Sequence, residues 1–219
     1  MGSIKPLVQL IKDNDSTSLQ QFEALLAITN LGSVSDETKE RIVAEKGIST
    51  LSYAMFSDHE MVRRAGTEAL CNLVPHPSMM KYLANPENLR LWMAYAADYE
   101  ANYECAKAAS GCLAMSTQDA AVAKALVGLK TFKEATTTIL ESGDLDLMHR
   151  VLAMIENLVE QGGKTKEAVI SAGLTAFCRA YVDSYHDGGN VASLGFDASL
   201  QGQLAVTVEL AKAIVALSD

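Results

Sequence analysis

Apolar residues recur along the chain at intervals of three and four positions, with polar residues between them. From Leu19 to Leu31 the apolar positions are Leu19, Phe22, Leu25, Leu26, Ile28 and Leu31. This spacing places them on one wide face of an amphipathic helix. The same spacing occurs in four further stretches, 61–74, 103–115, 145–159 and 200–217. Convincing alternation with the period of two that marks a strand is absent, so the sequence predicts an all-α protein.

Polar residues at the predicted helix starts are typical of N-terminal caps. Ser35 precedes Asp36 and Glu37, so we expect Ser35 to cap a helix whose first turn carries favourable negative charge. Glu60 follows Ser57 by three positions, which is the spacing of a capping box. These signals mark the start of a short predicted helix at 36–45 and of a longer predicted helix at about 58–74.

The ends of the predicted long helices resemble one another. The matched positions are Asn30, Asn72, Cys112, Asn157 and Ala213, and the successive gaps are 42, 40, 45 and 56 residues. The first three gaps match the roughly 40–47 residues of armadillo and HEAT repeats. The longer last gap contains a stretch rich in helix breakers, 186–197, which includes Gly188 and Gly189. We interpret this stretch as a loop inserted within the last repeat rather than as a domain boundary.

Each repeat divides into two shorter helices and one long third helix. The sequence therefore predicts a right-handed armadillo-repeat superhelix of about five repeats, forming a single solenoid over residues 1–219. The first repeat begins at a pattern typical of a second helix, so we expect it to be truncated. Because a repeat buries its apolar face only against its neighbours, Leu7, Val8 and Ile11 should be poorly covered. The exposed end is then expected to promote self-association.

Composition and charge exclude several classes of protein. The 219 residues are 49% hydrophobic and contain 18 Lys and Arg against 27 Asp and Glu, a net charge of −9. The sequence has no basic cluster, so it does not predict a nucleic-acid-binding protein. Uncharged stretches fall short of the roughly 20 apolar residues that span a membrane, and the N-terminal region lacks the apolar core of a signal peptide. We therefore expect a cytoplasmic location and no membrane partner.

The motifs of catalysis and metal binding are missing. The four cysteines include no CxxC pair, which favours reduced structural thiols. The four histidines do not have the HExxH spacing of a zinc site, and neither a phosphate-binding GxxxxGK[ST] loop nor a GxSxG motif occurs. The sequence therefore predicts a protein that is not an enzyme and that requires no metal or cofactor.

Two stretches carry a likeness to a known family. Residues 19–31 read LQQFEALLAITNL and residues 59–73 read HEMVRRAGTEALCNL. They resemble the UCS domain of the myosin chaperones, and GCLAM at 111–115 fits the next repeat of that family. The likeness covers most of the chain, includes polar residues between the core positions, and is closest to the C-terminal part of that domain.

The resemblance implies a function that composition alone does not show. Members of this family bind the myosin motor domain and promote its folding and assembly without consuming nucleotide. The resemblance also implies a cytoplasmic protein associated with the sarcomere or cytoskeleton. Full-length animal members carry an N-terminal TPR module that binds a heat-shock chaperone. That module is not found in this sequence, so the resemblance does not extend that partner to this chain.

The third helices are expected to line the concave groove of the solenoid, where a client would bind. Counting back by four from the matched positions gives one face of each helix. The predicted client-binding residues are Phe22, Leu26, Asn30, Arg64, Glu68, Asn72, His149 and Asn157. Counting in the same way places Cys112 in the groove as well. An Asn amide offers a donor and an acceptor, so it can hold the backbone of an extended peptide.

Plainer interpretations of the same residues remain open. Each Asn could instead end its helix and bond to a neighbouring loop. Arg64 and Glu68 could form a surface pair four residues apart, worth about 0.3–0.5 kcal/mol. At the level of function, the alternatives are a general armadillo scaffold that docks folded partners and an import-type peptide receptor. Import adaptors repeat Trp along their groove, whereas the single Trp92 of this chain falls in a predicted second helix and is expected in the core.

Overall fold

A computed structural model describes residues 4–186 and 198–219, and every regular element within these ranges is an α-helix. This confirms the all-α prediction. The helices form an initial pair followed by four triplets, and the third helix of each triplet is the longest. Their bounds are α1 Ile4–Lys12 and α2 Ser18–Val34; α3 Asp36–Ala44, α4 Gly47–Ala54 and α5 Glu60–Cys71; α6 Pro77–Leu83, α7 Pro86–Ala97 and α8 Tyr103–Ser116; α9 Ala120–Val127, α10 Phe132–Glu141 and α11 Leu145–Glu160; α12 Gly163–Ser171, α13 Leu174–His186 and α14 Ala198–Ser218.

The long helices are stacked in chain order. Helix α2 packs on α5, α5 on α8, α8 on α11, and α11 on α14. A second layer lies behind them, because α1, α4, α7, α10 and α13 each pack on the long helix that follows in the chain. This arrangement is the predicted armadillo solenoid. The loop predicted at 186–197 begins at the last residue of α13, and its remainder lies outside the described residues.

The core fills the space between the two layers. Leu25, Leu70 and Leu113 of successive long helices are completely buried. Trp92 in α7 is also completely buried, as expected for a second-helix residue. These side chains supply the apolar contacts that hold each repeat to the next, which a solenoid needs because its repeats do not form closed cores of their own.

One of the two predicted caps is present. The Ser35 hydroxyl accepts a hydrogen bond of 3.3 Å from the Thr38 amide at the start of α3. The capping box predicted for Ser57 and Glu60 is wrong, since His59 is the N-cap residue of α5. The Ser57 hydroxyl instead accepts a hydrogen bond of 3.2 Å from the amide of His59, which shapes the turn before the helix.

The first helix is better covered than the sequence suggests. Val8 and Ile11 are only 4% and 3% exposed, and Leu7 is half-buried. The expectation that these residues would be poorly covered is therefore wrong for Val8 and Ile11. Helix α1 occupies the place of a second helix and packs on α2 and α4, so two neighbours bury its apolar face. Self-association through this end loses the physical reason on which it was predicted.

The last helix, α14, is apolar along most of its length. Among the described helices, only α14 contains a segment, Leu200–Ser218, whose length and hydropathy would suffice to cross a membrane. The sequence analysis looked for long uncharged stretches, and it did not find this segment because Glu209 and Lys212 interrupt it. In the structure α14 packs on α11 and α13 and buries Val208 and Ala211. Packing in the solenoid therefore explains part of its apolar character.

Candidate binding surface on the long helices

The side of the long helices that faces away from the second layer forms a continuous surface, called here the third-helix face. Helices α5, α8 and α11 each have a long neighbour on both sides and a second helix behind them. Exposed side chains in the middle of these helices must therefore point to the remaining open side. Armadillo solenoids use their extended concave surfaces for binding, and this face is the corresponding candidate.

Exposed apolar side chains concentrate on the long helices. Of thirteen large apolar side chains that are exposed in the described residues, nine lie on α2, α5, α8 or α14. The nine are Leu19, Leu26, Val34, Met61, Tyr103, Met115, Leu200, Val206 and Leu217. Single exposed apolar residues are ordinary, but their concentration on one set of stacked helices is typical of an interaction surface.

The predicted client-binding residues all reach solvent at least in part. Leu26, Asn30, Arg64 and His149 are exposed. The remaining four are half-buried, namely Phe22, Glu68, Asn72 and Asn157. The Phe22 ring packs against the core, so only part of it is available to a ligand. The structure thus brings these residues to the surface, and their binding of a client stays a prediction.

Two of the asparagines form hydrogen bonds between repeats. The Asn72 amide donates to the backbone oxygen of Thr29 at 2.9 Å. The Asn157 amide donates to the backbone oxygen of Ala114 at 2.8 Å and to the hydroxyl of Thr117 at 3.2 Å. The acceptors lie on or just after the preceding long helix. The amide NH2 groups of both residues therefore serve packing between repeats. The plainer interpretation expected a bond to a neighbouring loop, whereas two of the three bonds go to backbone oxygens within the preceding long helix.

These hydrogen bonds correct the alignment of the repeats. Met115 follows Ala114 just as Asn30 follows Thr29, so Met115 occupies the matched position in α8. The sequence comparison had placed Cys112 there, and that residue is 0% exposed. The error is three residues, which is nearly one helical turn, so the apolar pattern alone barely distinguishes the two alignments. Met115, which is 44% exposed, is a surface residue that the sequence comparison missed.

Ion pairs cross the third-helix face at the repeat spacing. Arg64 bonds to Glu68 in its own helix at 2.9 Å and lies 3.4 Å from Glu104 of α8. Lys107 of α8 lies 3.0 Å from Asp146 of α11. The hydrogen bond to Glu68 raises the pKa of Arg64, which stays protonated at any physiological pH. Each exposed pair contributes about 0–1 kcal/mol, so these pairs align helices and set the surface charge more than they stabilise the fold.

The end of the face between α11 and α14 is acidic and apolar. A shallow depression of about 410 Å³ is lined by Glu156, Ala205, Val206, Glu209 and Leu210. The pKa of Glu156 is raised, mainly by partial burial and to a smaller extent by the nearby negative charge of Glu160. Counting back by four from Ala213 gives Glu209 and Ala205, so the sequence comparison did not select Val206, which is exposed.

Comparison with known proteins finds homologues over most of the chain. Protein unc-45 homolog B from Mus musculus is 32% identical over 178 residues, which cover 78% of this chain and 18% of that protein. The Xenopus tropicalis protein of the same name is 33% identical over 164 residues, covering 71% and 17%. Ring assembly protein 3 from Schizosaccharomyces pombe is 28% identical over 167 residues, covering 72% and 22%. The chain thus spans less than a quarter of the length of each. No protein-family profile matches the chain.

Solved structures with the same fold include natural and designed proteins. UNC-45 from Drosophila melanogaster superimposes with a TM-score of 0.83 at 24% identity, over 98% of this chain and 25% of that one. A second structure concerns molecular features of the UNC-45 chaperone critical for binding and folding muscle myosin. It superimposes with a TM-score of 0.75 at 25% identity, over 95% of this chain and 22% of that one. A designed armadillo repeat protein in complex with the peptide (KR)4 gives 0.74 at 17% identity, over 95% and 82%, which supports the fold alone.

Proposed function

Because the chain is homologous to the UNC-45 proteins and forms a UCS-type armadillo region, we propose that it acts as a myosin-directed chaperone. In this proposal it binds a myosin motor domain, or unfolded segments of one, on the third-helix face and so promotes folding and assembly. The observation that carries the proposal is the homology over 78% of the chain to Protein unc-45 homolog B. A related UNC-45 structure is described as that of a myosin chaperone.

The chemistry of the third-helix face suits a partner whose shape varies. Met61 and Met115 are exposed on neighbouring long helices, and their flexible thioether side chains can adapt to different apolar groups. Leu26 and Asn30 lie one turn apart on α2 and offer an apolar contact beside an exposed amide. A client segment lying across several long helices would gain many weak contacts, which can be released as the client folds.

The proposal does not require energy from nucleotide. A protein that holds an unfolded client segment lowers the concentration of free segments that can aggregate, and the client leaves when folding buries its apolar groups. The exposed Asn30 amide is the side chain of this face best placed to bond with a peptide backbone. Asn72 already donates one hydrogen bond between repeats and Asn157 donates two, so in this proposal they contribute through the side-chain oxygens of their amides.

Suppression of myosin aggregation tests the proposal. A purified myosin motor domain is heated with and without an equimolar amount of the chain, and light scattering is followed. We expect the chain to reduce scattering and the variant Leu26→Ser/Met115→Ser to lose most of this effect, because both exposed apolar contacts are removed. The matched control is Tyr53→Ser/Ile170→Ser, which removes two exposed apolar side chains from α4 and α12.

The outcome separates the chaperone from the alternatives. Unchanged scattering with the unaltered chain would contradict the proposal. Equal loss in both double variants would contradict the assignment to the third-helix face. If the chain captures the folded motor domain in a pull-down but does not reduce scattering, it is a docking scaffold rather than a chaperone.

A further inference from the structure

A second candidate site lies at one edge of the solenoid, apart from the middle of the third-helix face. It is a cleft of about 660 Å³, called here the edge cleft. Its walls come from the start of α8, the end of α10, the start of α11, the middle of α13 and the start of α14. The volume falls within the roughly 300–1,000 Å³ that is typical of ligand sites in proteins.

Most of the wall of the edge cleft is apolar. Leu140, Phe177 and Leu204 line it together with the exposed side chain of Leu200. The rings of Phe177 and Tyr181 are stacked, with centroids 6.3 Å apart and planes inclined by 14°. The Tyr181 hydroxyl shares a hydrogen bond of 2.8 Å with Thr207, which holds its ring in place. The cleft therefore offers a preformed aromatic and aliphatic surface to an incoming side chain.

The polar part of the edge cleft is negatively charged. Glu141, Asp144 and Asp146 line it, and no Lys, Arg or His among the described residues does. One of these carboxylates, Asp146, is paired with Lys107 at 3.0 Å. The pKa of Tyr103, in the same wall, is raised to about 12, mainly by burial and to a smaller extent by a hydrogen bond with Asp144. The negative charges of Asp144, Asp146 and Glu104 contribute to this shift after burial and the hydrogen bond.

We propose that the edge cleft binds an extended protein segment in which a Lys or Arg side chain lies next to an apolar side chain. The apolar group would contact Leu140, Phe177 and Leu204. The cation would lie near the carboxylates of Glu141 and Asp144, whose negative charge attracts it. The proposal rests on the proposed function, because it names a class of client segment that the chain would hold.

Charge complementarity is what selects this occupant. A purely apolar segment would bring no positive charge to Glu141 and Asp144, neither of which is paired with a cation among the described residues, and an acidic segment would be repelled. A cation close to two partly solvated carboxylates gains electrostatic energy that salt reduces. An apolar neighbour adds the free energy of removing its surface from water. Both parts are needed, so the segment should bind better than either part alone.

Fluorescence anisotropy with the full chain tests this inference. The probe is a fluorescein-labelled, capped peptide of sequence GSFRLKGS at low ionic strength. Two further probes replace Arg and Lys by Gln, or Phe and Leu by Ser. We expect the first peptide to bind at least fivefold more tightly than either of the others, and its affinity to fall as salt is added. Equal binding of all three peptides, or no binding of the first, would overturn the inference.

Variants locate the site. Glu141→Gln/Asp144→Asn should weaken binding of GSFRLKGS by about tenfold, because two charges near the cation are removed. The Asp144 carboxylate accepts a hydrogen bond of 2.9 Å from the Leu147 amide and caps α11, and Asn preserves that cap. The matched control Glu37→Gln/Asp15→Asn removes two exposed carboxylates far along the chain from the edge cleft, one before α2 and one in α3, and should leave affinity unchanged. Equal weakening in both variants would overturn the assignment to the edge cleft.

A third variant tests the contribution of the apolar wall of the edge cleft. Leu200→Ala trims an exposed side chain of the cleft wall, so the variant should fold normally and bind the peptide GSFRLKGS at least threefold more weakly.

A second assay distinguishes this inference from the proposed function. In it, the Glu141→Gln/Asp144→Asn variant is tested for protection of the heated myosin motor. Full protection by this variant would show that the cleft does not receive client segments, while the proposed function stands. Peptide binding without any protection by the unaltered chain would instead overturn the proposed function alone.

Discussion

The side-chain amide of Asn157 donates a hydrogen bond of 2.8 Å to the backbone oxygen of Ala114, 43 positions earlier. Ala114 lies in the last turn of α8, where backbone oxygens have no partner within the helix. Asn157 therefore satisfies a helix-end carbonyl of the preceding repeat. Asn72 makes a similar bond to Thr29, also 43 positions earlier. The recurring asparagines thus have a structural role that is independent of any ligand.

Replacing these asparagines should separate stability from binding. Asn72→Ala and Asn157→Ala should each lower the free energy of unfolding by about 1–2 kcal/mol, because each removes a partly buried hydrogen bond. Asn30→Ala should change it by less than about 0.5 kcal/mol, because Asn30 is exposed on the first long helix. Urea unfolding followed by circular dichroism measures all three.

The same variants bear on the predicted groove. If Asn30 contacts a client, Asn30→Ala should reduce protection of the myosin motor without loss of stability. Equal destabilisation by all three variants would contradict the structural distinction. Unchanged client binding by Asn30→Ala and Asn72→Ala would contradict the binding role predicted for them.

The repeat architecture could be predicted because it depends on local patterns. Apolar spacing identified the long helices, and Ser35 identified a helix start. The position matched to Asn30 in α8 could not be fixed in this way, because Cys112 and Met115 are nearly one turn apart and both fit the apolar pattern. Only the hydrogen bonds between repeats, which join residues 43 positions apart, decide that Met115 is the match.

Other features depend on contacts that the sequence does not display. The capping box at the start of α2 uses Thr17 and Gln20, whereas the Ser57 and Glu60 pair has the same spacing without forming one. Burial of α1 depends on α2 and α4 packing against it. The edge cleft draws on five helices, so the proximity of Tyr103 to Tyr181 could not be read from the chain.

Gly47 is a position where a larger residue should not fit. A Cβ atom added there would lie 2.4 Å from Cγ2 and 2.5 Å from the backbone oxygen of Ile42. Gly47→Ala should therefore destabilise the protein by about 1–3 kcal/mol, as overpacking does. Gly202→Ala in α14 is the matched control, because a Cβ there meets nothing within 4 Å. We expect this control to stabilise by about 0.5–1 kcal/mol through helix propensity. Thermal unfolding compares the two, and a loss of stability in both would contradict this account.

The cysteines should differ in their reactivity in the folded protein. Cys105, Cys112 and Cys178 are buried, whereas Cys71 is half-buried. Burial raises the pKa of the Cys178 thiol to about 12 and raises those of Cys105 and Cys112 as well, so few thiolates form at pH 8. N-ethylmaleimide should therefore modify Cys71 first, and the other three only after unfolding in urea.

Mass spectrometry of peptides taken at intervals identifies which thiol has reacted. In the Cys71→Ser variant the early reaction should disappear while the slow one persists. Early labelling of Cys178 in the native protein would contradict the burial that the structure shows.

The final prediction concerns Glu156 and the pH dependence of stability. Burial and the charge of Glu160 raise the pKa of Glu156 in the folded protein from its usual value near 4.5. Between the unfolded and folded pKa values the folded state binds more protons, so the free energy of unfolding falls as pH rises through that window. The resulting cost persists at pH 7, where the carboxylate is charged.

Glu156→Gln removes this cost, so it should stabilise the protein at pH 7 and lose that advantage below about pH 4, where Glu156 is itself neutral. Water screens most of this side chain, which limits the gain at pH 7 to less than about 1 kcal/mol. Urea midpoints at several pH values between about 3 and 8 provide the measurement. Glu167→Gln, an exposed carboxylate in α12, is the control and should show no such trend. A Glu156→Gln variant that is less stable at pH 7 would mean that Glu156 has a favourable partner.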